Sequence, residues 1–358
     1  MHALLFLALL FFVPAGCIPG NKTLVGPPAF EAIEKIDLHA HIFEYIPGFA
    51  EVLKENNLRL VNICVVAVDP EHVKWMEEVA ELMHLNFGSL HPFACTFPLD
   101  RIYEPGYQQR VERWLDNAFE QGAALTKLWK EVGMELKTPS GDWLMPDDPL
   151  FDPIYDHLAK RGKSLIAHLA EPKIAWLPLA PGDSTSYYAT HPEWHFYGRE
   201  DVPSYERIIA ARDNILQKHP DLTFIGAHLG SLEHDVDMIA ERLERYPNFQ
   251  VELGSRTVFL AQQPSAKVRE FLIRYQDRVM YGTDIARVPG ENEELEPDQR
   301  PEFFRSVLET YRRDYNYYSG NGMIDYNGKQ VEALALPREV LEKLYAGNAR
   351  RIIPGLDN

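Results

Sequence analysis

The chain has 358 residues, enough for one large barrel or two ordinary domains, and its 46% hydrophobic and 11% aromatic content excludes disordered and fibrous classes. Its 36 Lys plus Arg against 53 Asp plus Glu give a net charge of −17. No basic run interrupts that acidity, so nucleic acid is excluded as an expected partner, while an anionic small molecule is not.

Residues 1–17 (MHALLFLALLFFVPAGC) form an apolar run ending in small residues, the pattern of a secretory signal, and too short for a membrane span of about 20 residues. Ala15-Gly16-Cys17 resembles a bacterial lipoprotein cleavage site with Cys17 as the lipidated residue. The expectation is export, to the periplasm or to a membrane tethered through Cys17. A cytoplasmic protein follows instead if the start codon is set too far upstream. Residues 18–30 read as a Pro/Gly-rich tether and 31–358 as one domain.

From residue 33 a pattern repeats. Short β-branched runs at 33–42, 60–68, 91–97, 124–129, 164–170, 222–228, 250–253 and 279–284 alternate with segments of helical apolar spacing at 72–85, 107–121, 152–161, 205–219, 239–245 and 266–276. Eight strands alternating with helices predict an α/β fold, a single-domain (β/α)8 TIM barrel. A doubly wound open sheet is the alternative, and the missing glycine-rich turn after the first strand weighs against its dinucleotide-binding form. Cys64 and Cys95 lie in strand-like runs and read as buried small hydrophobes, or as a pair able to bridge in an oxidising compartment.

Long loops follow strands 4 and 5, at 130–150 and 171–203. In a barrel both fall on the face where sites form. The second carries Trp176, Tyr187, Tyr188, His191, Trp194, His195, Phe196 and Tyr197. It reads as a lid or pocket wall, or as aromatics that pin the loop to the rim.

His39 and His41, in Asp37-Leu38-His39-Ala40-His41, share one strand face because side chains two residues apart point the same way. The fifth run leads to His168, the sixth to His228 and the eighth to Asp284, while the fourth carries Lys127. A single histidine after a strand is usually structural. Three strand ends with histidine and one with aspartate, all at one barrel mouth, point to a metal site. Imidazole and carboxylate donors suit a divalent ion, zinc first, with a position left for water whose pKa falls toward ~7. Histidine titrates in the range that proton relay requires.

The segments DLHAH, SLIAHLAEP, FIGAHLGS, VMYGTDIA and YAGNARRII, in this order, resemble the amidohydrolase superfamily. More narrowly, they resemble its branch that includes aminocarboxymuconate-semialdehyde decarboxylase and related metal-dependent hydrolases. The likeness spans residues 33–353. It implies a metal held by His39, His41, His168 and Asp284. His228 would stand beside the metal-bound water to assist proton transfer or polarise the substrate, with Asp284 doubling as a proton shuttle. Lys127 would be an ordinary amine facing carboxylates or substrate, or a carboxylated bridge to a second metal; one metal is the expectation. Lys130 falls on the opposite face if the strand continues.

Arg256, after the seventh strand, could clamp a substrate carboxylate bidentately or sit in a rim salt bridge, and Arg287 invites the same reading. Trp176 is the loop residue expected to touch substrate. Asn348 is expected to brace the closing helix. The expected function is hydrolysis of a C–N or C–O bond in a small amide, lactone or ester through metal-bound hydroxide. The alternatives are a metal-dependent decarboxylase of a small unsaturated carboxylate, and a surface binding protein that has lost chemistry. A homo-oligomer is left open.

Overall fold

The computed structural model describes residues 27–65, 67–182, 186–288 and 294–356. The apolar leader, Cys17 and the first part of the tether lie outside the described residues. Nine parallel strands follow one another: β1 (Lys35–Ile42), β2 (Leu58–Ile63), β3 (Phe93–Cys95), β4 (Leu125–Leu128), β5 (Ser164–Ala167), β6 (Phe224–Gly226), β7 (Phe249–Glu252), β8 (Val279–Met280) and β9 (Ile285–Arg287). Each pairs with its successor from β1 to β8, and β9 pairs back onto β1, which closes a (β/α)8 barrel. The eighth sequence run is therefore split, one half laddered to β7 and the other to β1. The turn between them passes through Asp284, whose left-handed φ of 64° breaks the strand.

Helices fill the expected intervals at Pro70–Phe87, Tyr107–Glu120, Asp152–Lys160, Tyr205–Lys218, Val236–Arg245 and Ser265–Arg274. Sequence periodicity misses a 20-residue helix, Arg300–Ser319, and the hairpin Met323–Tyr326 with Lys329–Glu332 behind it. That helix buries four tyrosines and a single aliphatic, Val307, so its apolar stripe reads as polar. Tyr311 and, from the barrel, Tyr281 find carboxylate partners in Asp37 and Asp314.

A β-bulge in β1 positions the site. Asp37 aligns with Leu60 and Ala40 with Asn62, so Leu38 and His39 together oppose the single Val61. One extra residue reverses the in/out alternation. Ile36 and Leu38 face into the barrel below it, and His39 and His41 face into it above. Below, Ile36, Leu38, Val61, Ile166, Ile225 and Met280 form one buried cluster with Ala346, Ala349, Ile352 and Ile353 of the C-terminal helices, which stopper the barrel floor. Asn348 braces that stopper as expected, donating to the carbonyls of Gln276 and Val279 at 2.7 and 2.8 Å. Cys64 and Cys95 are both buried free thiols, so the bridge considered from sequence is not formed.

Candidate metal centre

Above the bulge the barrel opens into a cavity of about 390 Å³, lined by His39, His41, Lys127, His168, His228 and Asp284 among others. The Nε2 atoms of His39 and His41 lie 3.6 and 3.2 Å from Asp284 Oδ1, and the ligand atoms of these three residues all fall within 4.8 Å of one another. His168 stands outside that trio but in the same cavity. Its ring is 4.2 Å from that of His228, which is 4.6 Å from that of His39.

The bond made by the far nitrogen turns each ring. His41 Nδ1 donates to the Ile63 carbonyl and His228 Nδ1 to the Gly254 carbonyl, both at 2.8 Å; His39 Nδ1 donates to Glu252 Oε1 at 2.8 Å. The Ile63 and Gly254 carbonyls can only accept, and Glu252 Oε1 also accepts the His228 amide, so Nδ1 holds the hydrogen and Nε2 is a bare lone pair wherever the ring is neutral. The donor set fits a divalent ion. Two bare Nε2 atoms and a carboxylate oxygen face one another, and His168 adds a buried Nε2 that no protein group satisfies.

Burial holds the His39, His168 and His228 imidazoles well below their usual range, reinforced by the neighbouring Lys127, Lys130 and Arg256 charges respectively, so all three are neutral. Burial also depresses the Lys127 amine to about 8, against the opposing pull of Glu252 and Asp284. Its Nζ lies 3.4 Å from His39 Nε2. Asp284 is held well below the usual carboxylate range, its surroundings outweighing a burial that acts upward.

The backbone of the mouth is strained. His228, Leu229, Gly230 and Ser231 take φ of 56°, 57°, 63° and 59°, four left-handed residues in succession, and Ser255 joins them at 55°. Left-handed backbone costs an L-residue about 1–2 kcal/mol. Hydrogen bonds hold it. The His228 amide donates to Glu252 Oε1 at 2.7 Å, Arg212 donates to the Gly230 carbonyl at 2.5 Å, and Ser231 Oγ donates to the Ala170 carbonyl at 2.5 Å. Only glycine fits at 230, because a Cβ there would stand 2.9 Å from both Arg212 and Phe249. Asp37 performs the same service at the barrel seam. It accepts from the Thr283 amide and hydroxyl, the Tyr311 hydroxyl and the His39 amide, tying β1 to the turn that carries Asp284.

The walls correct two sequence expectations. Lys130 lines the cavity instead of facing away, because β4 ends at Leu128 and the chain turns before reaching it. It is buried, paired with Glu171, and set 3.5 Å above the Trp194 ring. Glu171 Oε2 accepts the Tyr188 hydroxyl at 2.8 Å. Trp176 does not line the cavity. Its indole N–H donates to the Pro203 carbonyl, and its ring packs on Phe196 and Tyr205, so it anchors the 171–203 loop; Tyr187, Tyr188 and Ile174 form the wall. Arg256 lines the cavity, its Nε 3.9 Å from Glu233, while Arg287 pairs with Glu44 on the rim.

Two residues of the site were missed from sequence, Asp37 and Glu252. The signal for Glu252 was present: Phe249 and Val251 pack in the outer core, so alternation leaves Glu252 facing the barrel interior.

A family model described as amidohydrolase matches residues 109–355, more than half of the chain. The 2,6-dihydroxybenzoate decarboxylase from Rhizobium is similar in structure, with 13% identity over 89% of this chain and 98% of that chain, at a TM-score of 0.53. So is 4-oxalomesaconate hydratase from Rhodopseudomonas palustris, with 15% identity over 90% of this chain and 96% of that chain, at a TM-score of 0.50. At these identities the likeness speaks for the fold. No curated protein matches the chain.

Proposed function

The chain belongs to the amidohydrolase family, and from that premise we propose that it is a metal-dependent hydrolase cleaving a C–N or C–O bond in a small amide, lactone or ester. The observation that carries this reading is the bare Nε2 pair of His39 and His41 facing Asp284 Oδ1 at the floor of an open cavity. In our reading His39, His41, His168 and Asp284 hold one divalent ion, zinc by donor type, which would supply Lewis acidity to a water and a substrate carbonyl. His228, neutral and with Nδ1 committed to Gly254, presents Nε2 to accept a proton. Asp284 offers a second carboxylate oxygen, which accepts the Ser255 hydroxyl at 3.2 Å, as a relay. Arg256 would orient an anionic substituent of the substrate.

A second reading, decarboxylation of a small unsaturated acid, is favoured by Lys127 and Arg256, two cationic groups that line the cavity. The products separate the two: hydrolysis of lactones, esters or amides releases acid or amine, and the lyase releases carbon dioxide from unsaturated carboxylates.

The underlying assignment is tested by metal analysis of the purified protein beside a His39→Ala/His41→Ala variant. Near-stoichiometric zinc in the parent and little in the variant is expected, with activity down at least about a thousandfold. Equal metal in both would sink the assignment. Two ions per chain would overturn the one-metal choice in favour of a bridge through carboxylated Lys127.

A further inference from the structure

We propose that Glu252 is the positioning residue of this centre: its carboxylate fixes His39 with Nδ1 protonated and Nε2 bare, and so sets the affinity of the site for its ion. The inference rests on the metal-centre reading above.

Glu252 closes β7 and is fully buried. Its carboxylate takes three donors: His39 Nδ1 at 2.8 Å and the His228 amide at 2.7 Å on Oε1, and the Gly254 amide at 2.5 Å on Oε2. Among the described residues no Lys or Arg stands within salt-bridge distance of it, and the cation it acts on is the buried Lys127 amine, which it pulls upward. A buried carboxylate is expensive unless positive charge resides nearby, and charge beyond that of the Lys127 amine lowers the cost further. A divalent ion on the opposite nitrogen of His39 would place that charge one imidazole away.

The surrounding backbone is shaped to this group. A Cβ on Gly282 would lie 2.4 Å from Glu252 Oε2, and one on Gly254 would lie 3.0 Å from it. Two glycines from two different strand ends thus make room for one carboxylate. The same oxygen that holds the His39 ring also holds the amide of His228, the first residue of the left-handed run. Glu252 therefore sets the proposed ligand and the proposed proton acceptor with one group. A carboxylate behind a ligating histidine fixes its tautomer and strengthens its lone pair, and removing such a partner typically costs 10–100-fold in metal affinity.

The test uses the full chain and needs no substrate. Zinc affinity is measured by competition with a chromogenic chelator for wild type, Glu252→Gln, Gly282→Ala and His39→Ala. Glu252→Gln keeps the shape, but its amide opposes the Gly254 N–H. It is expected to bind zinc about 10–100-fold more weakly with unchanged circular dichroism. Gly282→Ala, which displaces the same carboxylate, is expected to move affinity the same way. Affinity within threefold of wild type for Glu252→Gln overturns the inference. So does a loss as complete as that of His39→Ala, which would make Glu252 itself a ligand, as a second close grouping of His39, His228 and Glu252 allows. If both variants fail to fold, the His39 tautomer in zinc-loaded wild type decides. Nitrogen-15 correlation spectra of histidine-labelled protein should show Nδ1 protonated, and a protonated Nε2 overturns the proposal. Wild-type zinc affinity in His39→Ala would instead sink the metal-centre reading on which it rests.

Discussion

Below the bulge in β1, the barrel holds Ile36, Leu38, Val61, Ile166, Ile225 and Met280 under a lid of Ile352 and Ile353. Above it, the barrel presents His39, His41, Lys127, His168 and Glu252, all buried. The floor is stabilised by apolar area removed from water, a non-directional term that tolerates small shifts. The mouth is held by directional bonds between buried polar groups and a backbone bent into left-handed conformations at 228–231, 255 and 284. Such strain persists only where its surroundings over-determine it, and it clusters at functional sites. The difference teaches where stability resides and where it is consumed: changes in the floor should cost folding energy and leave the site intact, while changes in the mouth should alter metal or substrate binding out of proportion to stability.

Asp37 is the case that could break this division, since it belongs to the mouth yet welds the barrel seam. Asp37→Ala strands four donors, the Thr283 amide and hydroxyl, the Tyr311 hydroxyl and the His39 amide. Its expected cost is about 4 kcal/mol by urea unfolding. A cost below about 1 kcal/mol would show that the seam closes without it. In the floor, Ile353→Ala removes a side chain that is 1% exposed, and should cost about 2–4 kcal/mol while zinc affinity stays within twofold of wild type. Loss of zinc binding in that variant would mean that floor and mouth are coupled.

The floor and outer shell were largely legible in the sequence. Period-two and helical spacings located all eight strand runs and six of the helices, because local hydrophobic pattern dictates local structure. The strand-end histidines and Asp284 were legible for the same reason: a strand's end is where its side chains meet the barrel mouth. What was not legible depends on other segments. The bulge at Leu38–His39 exists only in the register with Val61. Lys130 was placed on the wrong face because β4 ends two residues before it. Trp176 was assigned to substrate on aromatic character alone, and its true partner, the Pro203 carbonyl, lies 27 residues away. Asp37 and Glu252 were read as strand residues because their partners come from β1, the segment after β6, the turn after β8 and the helix Arg300–Ser319.

The mouth also carries the charges that should make stability depend on pH. Burial lifts the Glu131 carboxyl to about 7 from its ordinary 4.5, with the Ala67 amide donating to it at 2.9 Å as an opposing influence. The folded protein thus holds this proton more tightly than the unfolded chain. The contribution is full below pH 4.5 and is lost as pH rises through 7. Wild type should therefore lose about 2 kcal/mol more than Glu131→Gln between pH 5 and pH 8, measured by urea titration at each pH. The glutamine oxygen can still accept the Ala67 amide, so the two proteins should unfold alike at pH 5. Parallel pH curves would show that this carboxyl is not the source.

The smallest expected effect bears on the loop that closes the mouth. Trp176→Phe keeps a ring against Phe196 and Tyr205 but loses the bond to the Pro203 carbonyl, which stands at 3.0 Å. The expected cost is about 1 kcal/mol, a shift of roughly 2 °C in Tm for a chain of this size. KM for the substrate that profiling identifies should stay within twofold, because the indole does not line the cavity. Tyr187→Ala is the complement. Its ring lines the cavity and is 48% exposed, so little packing is lost, and KM should rise severalfold with Tm unchanged. The reverse pattern, KM moved by Trp176→Phe and Tm by Tyr187→Ala, would return Trp176 to the pocket and make Tyr187 the anchor.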